Sequence, residues 1–374
     1  MKKIAIFGGT FNPVHNEHIE VAKSAVKELA LDQLYIMPTY ISPHKTDTPA
    51  STEDRLNMLK LAFEGVDKVV VSDFEIQKQG TSYTYQTVEH FKNEENAVLY
   101  FIVGGDMLKD FKSWRYPERI LSACTLCAFD RENSNVDFDF EKEYFAKTFG
   151  KTFVTLNYKG KDLSSTLVRV YNSFGLDIKT MTDKKVADYI TEHNLYCGDK
   201  YAEFIKKSLP EKRLIHTANV VTLALDNAKK NGLDKERVRI SATLHDCAKY
   251  IDHKSVEDFV LLDGVPQPVI HAFLGKFVAQ KYLGVTDQDI LNAICYHTSG
   301  RPNMSDLEKL IFVADMLERG RNYQGVEKLR EFLNGDLDTC FKECLKEEMI
   351  HLINKKEYIY SLTIDAYDYY IGKN

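Results

Sequence analysis

Two groups of residues in this chain can do chemistry. The first is the string Gly8-Gly9-Thr10-Phe11-Asn12-Pro13-Val14-His15-Asn16-Glu17-His18, which follows the apolar, strand-like run Lys2 to Phe7. Glycines let a backbone approach a phosphate chain, and the helix that follows offers N–H groups and a positive dipole end. His15 and His18 are three apart, so they share one face if the helix has begun by His15. Two imidazoles beside a phosphate chain can donate hydrogen bonds to charge that builds up during transfer. Further along, Ser164, Ser165 and Thr166 open a helical pattern with hydroxyls and free N–H groups, and Arg169 lies one turn on. The second group is His216, the pair His245-Asp246, His271, His297 and Asp315, spread over different helical stretches. A mixed nitrogen and oxygen shell of this kind suits Mn²⁺, Fe or Zn²⁺, and the extra histidines allow a second ion. Asp315 sits among Ile311, Phe312, Val313, Ala314, Met316 and Leu317, where a carboxylate needs a cation.

The elements that must hold these residues differ between the two halves. Up to Gly198 the chain alternates. Short apolar strands are expected at Lys2 to Phe7, Leu34 to Pro38, Lys68 to Ser72, Ala97 to Val103, Thr125 to Phe129 and Thr152 to Leu156. Helical stretches lie between and after them, at His18 to Ala30, Ser51 to Glu64, Tyr83 to Lys92, Ser164 to Phe174 and Asp183 to His193. This is the pattern of an α/β domain, a Rossmann-like parallel sheet with helices on both faces. After Gly198 amphipathic helical periods follow almost without strands, including Lys235 to Tyr250 and Ser255 to Leu262, so the second half is expected to be all-α. We therefore divide the chain into residues 1–197 and 200–374.

With 374 residues, 44% hydrophobic, the chain is long enough for two cores. Its net charge of −6, without a long Lys/Arg run, argues against a nucleic-acid partner. No apolar run reaches the ~18 residues of a membrane span, and the start does not read as a signal peptide, so a cytoplasmic protein is expected. The seven cysteines include a lone Cys124/Cys127 pair and Cys340/Cys344. Without a second pair at matching spacing they read as structural thiols.

The first half resembles the nucleotidyltransferase superfamily with the HxGH signature. It also carries Pro43-His44-Lys45 after the second strand, Ser82-Tyr83-Thr84 before a helix and Gly104-Gly105-Asp106 at a strand end. Leu163 to Arg169 is similar to the late ISSTxIR motif, and Val186 to Ile190 with Leu195-Tyr196 to the closing helix. Together these resemble bacterial nicotinate mononucleotide adenylyltransferases over residues 1–197. The resemblance implies adenylyl transfer from ATP, with Mg²⁺, to nicotinate mononucleotide; nicotinamide mononucleotide and phosphopantetheine are the other acceptors to weigh. It implies phosphate contacts from Gly8, Gly9, Thr10, Phe11, His15, His18, Lys45, Ser164, Ser165, Thr166 and Arg169, and a ribose contact from Asp106. Tyr83, Thr84, Trp114 and Arg131 would meet the pyridine nucleotide. Glu17 departs from the signature, whose third position is glycine. In a helical first turn Glu17 is comfortable and expected to point away.

The second half resembles HD-domain metal-dependent phosphohydrolases, and within them the YqeK group. The supporting strings are Arg213-Leu214-Ile215-His216-Thr217, Leu244-His245-Asp246-Cys247-Ala248-Lys249, His271-Ala272-Phe273-Leu274-Gly275, Tyr296-His297-Thr298-Ser299-Gly300 and Ala314-Asp315-Met316-Leu317-Glu318. The resemblance implies one or two divalent metals, Fe or Mn, on His216, His245, Asp246, His271, His297 and Asp315. It also implies symmetrical hydrolysis of diadenosine tetraphosphate. Asp246 and Lys249 are expected to act in catalysis, with Lys249, Arg319 and Arg321 meeting phosphates. Another phosphate ester, or a regulatory nucleotide-binding role, is the alternative. His253 and His351, with no motif around them, are expected to be exposed.

Overall fold

The computed structural model describes residues 1–41, 49–132, 136–261 and 263–372. Two compact units divide the chain: Met1–Arg169 with Asp177–Tyr196, and Val170–Leu176 with Cys197–Asn374. The short excursion has a packing cause. Val170, Phe174 and Leu176, at and after the end of one helix, are buried in the core of the helical unit.

Six parallel strands form the sheet of the first unit: β1 (Lys3–Gly9), β2 (Gln33–Pro38), β3 (Val69–Val71), β4 (Val98–Gly104), β5 (Thr125–Arg131) and β6 (Val154–Gly160). Their order is β3-β2-β1-β4-β5-β6. In register, Ile4 faces Gln33 on one side and Leu99 on the other. Central strands covered on both faces read as apolar runs, and Ile4, Ala5 and Ile6 are fully buried. The order reverses between β1 and β4, the point at which right-handed crossovers in such a sheet send helices to opposite faces. The crevice beyond the carboxyl ends of β1 and β4 is where such a sheet receives a ligand.

Local chemistry sets several helix starts. The Ser51 hydroxyl accepts from the Asp54 N–H at 3.0 Å and opens Thr52–Ala62. Asp137 caps Phe138–Phe149 in the same way. That helix and Pro117–Ala123 were not expected from the sequence. The first packs Phe138, Phe145 and Phe149 on the core, but Glu141 and Lys142 interrupt that stripe in the sequence, and the second is only two turns long, so the periodic signal is weak in both. Strand β6 runs to Gly160, past the expected Leu156, after a register shift against β5 between Ala128 and Asp130.

In the second unit every long described element is a helix: Lys200–Ser208, Glu211–Ala228, Lys235–Leu244, Gln267–Lys281, Gln288–Tyr296, Asp306–Leu317, Leu337–Lys355 and Ser361–Tyr370. Ala218, Val221, Ala242, Leu244, Ile294, Ile311 and Ala314 close the core. The helix expected over Ser255 to Leu262 is absent among the described residues. Instead Asp252 caps a single 3-10 turn, His253–Ser255, and Asp258 takes a left-handed φ of 64°, which stops propagation. The helix expected to reach Tyr250 ends at Leu244, and turns carry His245 and Asp246 inward. No described helix is long and apolar enough to cross a membrane.

Candidate functional site

In the first unit the loop after β1 leads to the helix Asn16–Glu28, with His15 as its N-cap. A Cβ on Gly9 would meet the Phe11 ring at 3.1 Å, so glycine lets Phe11 lie close over the strand end. His15 and His18 stack, with ring centroids 3.7 Å apart and planes at 27°. The His15 N–H donates to His18 Nδ1 at 3.1 Å. That bond assigns the proton of neutral His18 to Nε2, leaving an N–H donor away from the helix start. The Phe11 ring meets His18 edge-on at 4.9 Å.

The loop is held by five side chains from four other segments. The Arg55 guanidinium, 1% exposed, donates to the Thr10 carbonyl at 2.9 Å and the Thr39 carbonyl at 2.8 Å. Arg169 donates to the Asn12 carbonyl at 2.6 Å, and the Ser165 hydroxyl to the Pro13 carbonyl at 2.8 Å. The Thr182 hydroxyl donates to the Val14 carbonyl at 2.9 Å, and the Tyr196 hydroxyl to Asn12 Oδ1. Burial pushes the Arg55 and Tyr196 pKa values down and up respectively, each away from the charged form. Ser165 and Arg169 thus hold the loop in this structure. Ser164 caps its own helix, accepting from the Leu167 N–H at 3.2 Å.

Glu17 lies in the first turn of the helix, 9% exposed. Its carboxylate accepts from the Tyr158 hydroxyl at 2.6 Å and the Lys161 N–H at 2.8 Å. A Cβ on Gly160 would come within 3.2 Å of Glu17 Oε2. Burial, then the bond to Glu17, raise the Tyr158 pKa. The side chain therefore ties the end of β6 to the histidine helix.

The other sequence-predicted residues of this unit fall as follows. Asp106 begins a short helix after β4 and is exposed. Arg131 ends β5, exposed, with its guanidinium 5.5 Å from the Phe129 ring centroid. Tyr83 caps the helix that Thr84 begins, and both are half-buried. Trp114 is half-buried against Phe101 and Phe111. Arg115, which the sequence reading missed, lies 4.7 Å over Tyr83. Lys45 lies outside the described residues. Arg55 was also missed, although a signal existed: it occupies the same stripe as the buried Met58, Leu59 and Ala62. A charge on that stripe has to be a buried, fully bonded one.

In the second unit His216 comes from Glu211–Ala228, His245 and Asp246 from the turn after Leu244, His271 from Gln267–Lys281, His297 from the end of Gln288–Tyr296, and Asp315 from Asp306–Leu317. Folding brings all six together. Two groups have ligand atoms within 4.8 Å of one another: His216, His245 and Asp246, and Asp246, His271 and His297. Asp246 belongs to both. His216 Nε2 is also 3.0 Å from Asp315 Oδ1.

The ring orientations favour a cation. His245 Nδ1 is 2.7 Å from the Ala242 carbonyl and His297 Nδ1 is 2.8 Å from the Ile294 carbonyl. Both Nδ1 atoms therefore carry the proton, and both Nε2 lone pairs face the cluster. His216 Nδ1 is 3.1 Å from Glu318 Oε1. His216 Nε2, His245 Nε2 and Asp246 Oδ1 are buried without a well-directed hydrogen bond. Buried lone pairs converging in this way fit a divalent metal. Burial pushes His245 down to about 4 and lowers His271 as well. Burial opposes charge on Asp246, but His245, His271 and His297 outweigh it and hold the carboxyl well below its ordinary range. Asp315 is held low in the same way by His216 and Arg321.

Arg213 and Glu318 were quoted in motifs without a role. Arg213 pairs with Asp246 Oδ2 at 3.1 Å, and buried Glu318 orients His216. Glu318 follows Asp315 by three, which is a legible same-face signal. Lys249 Nζ lies 3.0 Å from His271 Nε2 and 3.6 Å from Asp246 Oδ1, and Arg321 pairs with Asp315. In this structure both cations face ligand residues. Arg319 is half-buried.

A chamber of about 320 Å³ adjoins the cluster, lined by its His297 and Asp315 and by the neighbouring Thr298 and Arg321. Phe312, Met316, Tyr323, Glu347, Glu348 and His351 complete its lining. His351 is exposed, whereas His253 is half-buried rather than exposed, its Nδ1 3.9 Å from Asp252 Oδ1. The thiols of Cys124 and Cys127 are buried and pushed up to about 12; Cys340 and Cys344 are buried on one helix.

Comparison with known proteins finds a family model for each half of the chain. Residues 6–170 match the cytidylyltransferase-like family model and residues 213–320 the HD domain model. These define a nucleotidyltransferase domain followed by an HD-domain hydrolase. The chain is 30% identical to a Mycoplasma pneumoniae protein named "Probable nicotinate-nucleotide adenylyltransferase/Ap4A hydrolase", over 85% of this chain and 89% of that one. It is 39% identical to a Clostridium tetani protein named "Probable nicotinate-nucleotide adenylyltransferase", over 52% of this chain and 100% of that one. The crystal structure of a "predicted HD superfamily hydrolase involved in NAD metabolism" from Clostridium acetobutylicum is 34% identical. It covers 47% of this chain and 97% of its own, with a TM-score of 0.43. The chain belongs to the family in which a cytidylyltransferase-like domain of the nicotinate-nucleotide adenylyltransferase type is fused to an HD domain.

Proposed function

We propose that the first unit transfers the adenylyl group of ATP to nicotinate mononucleotide, and that the second cleaves diadenosine tetraphosphate into two ADP. The observation that carries the first half is the stacked His15–His18 pair at the point where the sheet order reverses. An oxygen of the mononucleotide phosphate attacks the α-phosphorus of ATP, and the bond to the β-phosphate oxygen breaks. Pyrophosphate leaves with that electron pair. The His18 Nε2–H donates to the charge that develops, and helix N–H groups beside Ser164, Ser165 and Thr166 receive the polyphosphate. Lys45 and Arg169 add positive charge, Asp106 accepts from the ribose, and Thr84, Trp114 and Arg131 hold the acceptor. Mg²⁺ enters with ATP.

The observation that carries the second half is the buried set of six ligands sharing Asp246. His216, His245, Asp246 and Asp315 would hold one divalent ion, and His271 and His297 with Asp246 a second. Imidazole and carboxylate together suit Fe or Mn. Such ions supply Lewis acidity to the attacked phosphate and to water. Glu318 fixes the ring of His216, Arg213 fixes Asp246, and Lys249 adds charge for a phosphate. The name of the Mycoplasma pneumoniae relative supports this substrate.

The test uses the full chain. With Mn²⁺ or Fe²⁺ and diadenosine tetraphosphate, ion exchange should show ADP alone, lost in Asp246→Ala together with bound metal. AMP plus ATP would refute the symmetrical cleavage, and no product from a metal-loaded chain would refute the substrate. Separately, pyrophosphate release with ATP should be faster for nicotinate than for nicotinamide mononucleotide; the reverse would overturn the acceptor.

A further inference from the structure

The chamber beside the His–Asp cluster has two chemically different ends. At one, Arg321 and the metal-ligand residues His297 and Asp315 suit phosphate held through cations. The rest of the lining differs. Phe312, Met316 and Tyr323 are apolar or aromatic, and Glu347 and Glu348 are carboxylates from Leu337–Lys355. Among the described residues, no side chain or backbone N–H donates a hydrogen bond to either glutamate side chain. Carboxylates repel phosphate but accept from N–H donors. Aromatic and thioether surface packs against a flat ring. A cavity of this size is within the range of small-ligand sites.

We infer that this chamber seats the base of the bound nucleotide, and that Glu348 accepts a hydrogen bond from an exocyclic amine such as the 6-amino group of adenine. The inference rests on the reading that the second unit takes a nucleotide polyphosphate. It goes further by placing the base and by making the amine a determinant of selection. A purine without that amine leaves a half-buried carboxylate without its partner, a larger loss than one missing contact.

The test is photolabelling of the full chain with 2-azidoadenosine diphosphate and Mn²⁺, followed by peptide mapping. Mapping separates this site from the nucleotide site of the first unit. Peptides carrying Tyr323 or His351 should be labelled. ADP should protect them at about tenfold lower concentration than purine riboside diphosphate, which lacks the 6-amino group. Glu348→Ala should remove that preference while retaining bound metal. Glu348→Gln, whose amide oxygen still accepts, should keep part of it and guards against a folding defect in the first variant. Unlabelled chamber peptides, or equal protection by the two nucleotides, would overturn the base site even if diadenosine tetraphosphate is hydrolysed. Label with the expected protection but no hydrolysis would instead refute the proposed substrate and leave the base site standing.

Discussion

Removing the Glu17 carboxylate should weaken the first unit substantially. Glu17 accepts from the Tyr158 hydroxyl and the Lys161 N–H, at 2.6 and 2.8 Å, from a position 9% exposed. Hydrogen bonds to a charged group contribute ~1.5–3 kcal/mol each. Tyr158 is half-buried and Lys161 exposed, so water re-solvates part of what is lost. The net cost of Glu17→Ala is then roughly 2–3 kcal/mol. For a unit of this size that lowers the melting temperature by roughly 5–10 °C. Glu17→Gln keeps an acceptor oxygen and should cost about 1 kcal/mol. Glu17→Gly restores the residue type of the HxGH signature, yet it should be at least as harmful as Ala, because it loses the same bonds and adds backbone freedom. Trp114 is the chain's one tryptophan and lies in the first unit, so its fluorescence reports that unit's unfolding alone. A Glu17→Ala transition within about 2 °C of the parent would show that the carboxylate is not an anchor.

Other outcomes follow from the same geometry. Arg55→Met leaves the Thr10 and Thr39 carbonyls without their donor and should cost about 3 kcal/mol in the Trp114-monitored transition; an unchanged midpoint would exclude that role. His18→Ala should keep ATP affinity while turnover in pyrophosphate release falls about 10²–10³-fold, and unchanged turnover would remove His18 from the mechanism. In chelator-treated protein, acid should loosen the helical unit. The folded-state pKa of His245 is depressed to about 4 from 6.5, so the unfolded chain takes up the proton first. Its contribution is present above pH 6.5 and is lost as pH falls toward 4. Hydrogen exchange in Glu211–Ala228 should therefore accelerate over that window, and a flat profile would contradict the assignment.

Much of the architecture was legible because local chemistry and tertiary demand agree. The apolar β1 and β4 runs, the Ser51 cap and the long stripes of the helical half are read from neighbours in sequence. Where the local signal was weak, reading failed. Asp258 in a left-handed conformation stopped an expected helix, and Phe138–Phe149 formed on an apolar stripe broken by Glu141 and Lys142. The ligand histidines were legible as residue types in apolar surroundings. The partners that hold Asp246 and His216, Arg213 and Glu318, were less so, because they act across 33 and 102 residues of sequence, as does Arg55 on the Thr10 carbonyl of the first unit across 45.

By itself, then, the sequence determined the α/β then all-α order, the glycine loop with its paired histidines, and the inventory of six candidate metal ligands. Each depends on residue type and short spacing. Only the tertiary structure decided that Asp246 joins both ligand groups, that His18 keeps its proton on Nε2, and that Glu17 turns toward β6. It also decided that a chamber with carboxylates opens beside the cluster. The shared Asp246, the Glu17 anchor and the chamber depend on segments far apart in sequence, 144 residues for Glu17 and Lys161, and packing alone brings such segments together; the His18 proton depends on how the loop before the helix turns the His15 N–H onto Nδ1.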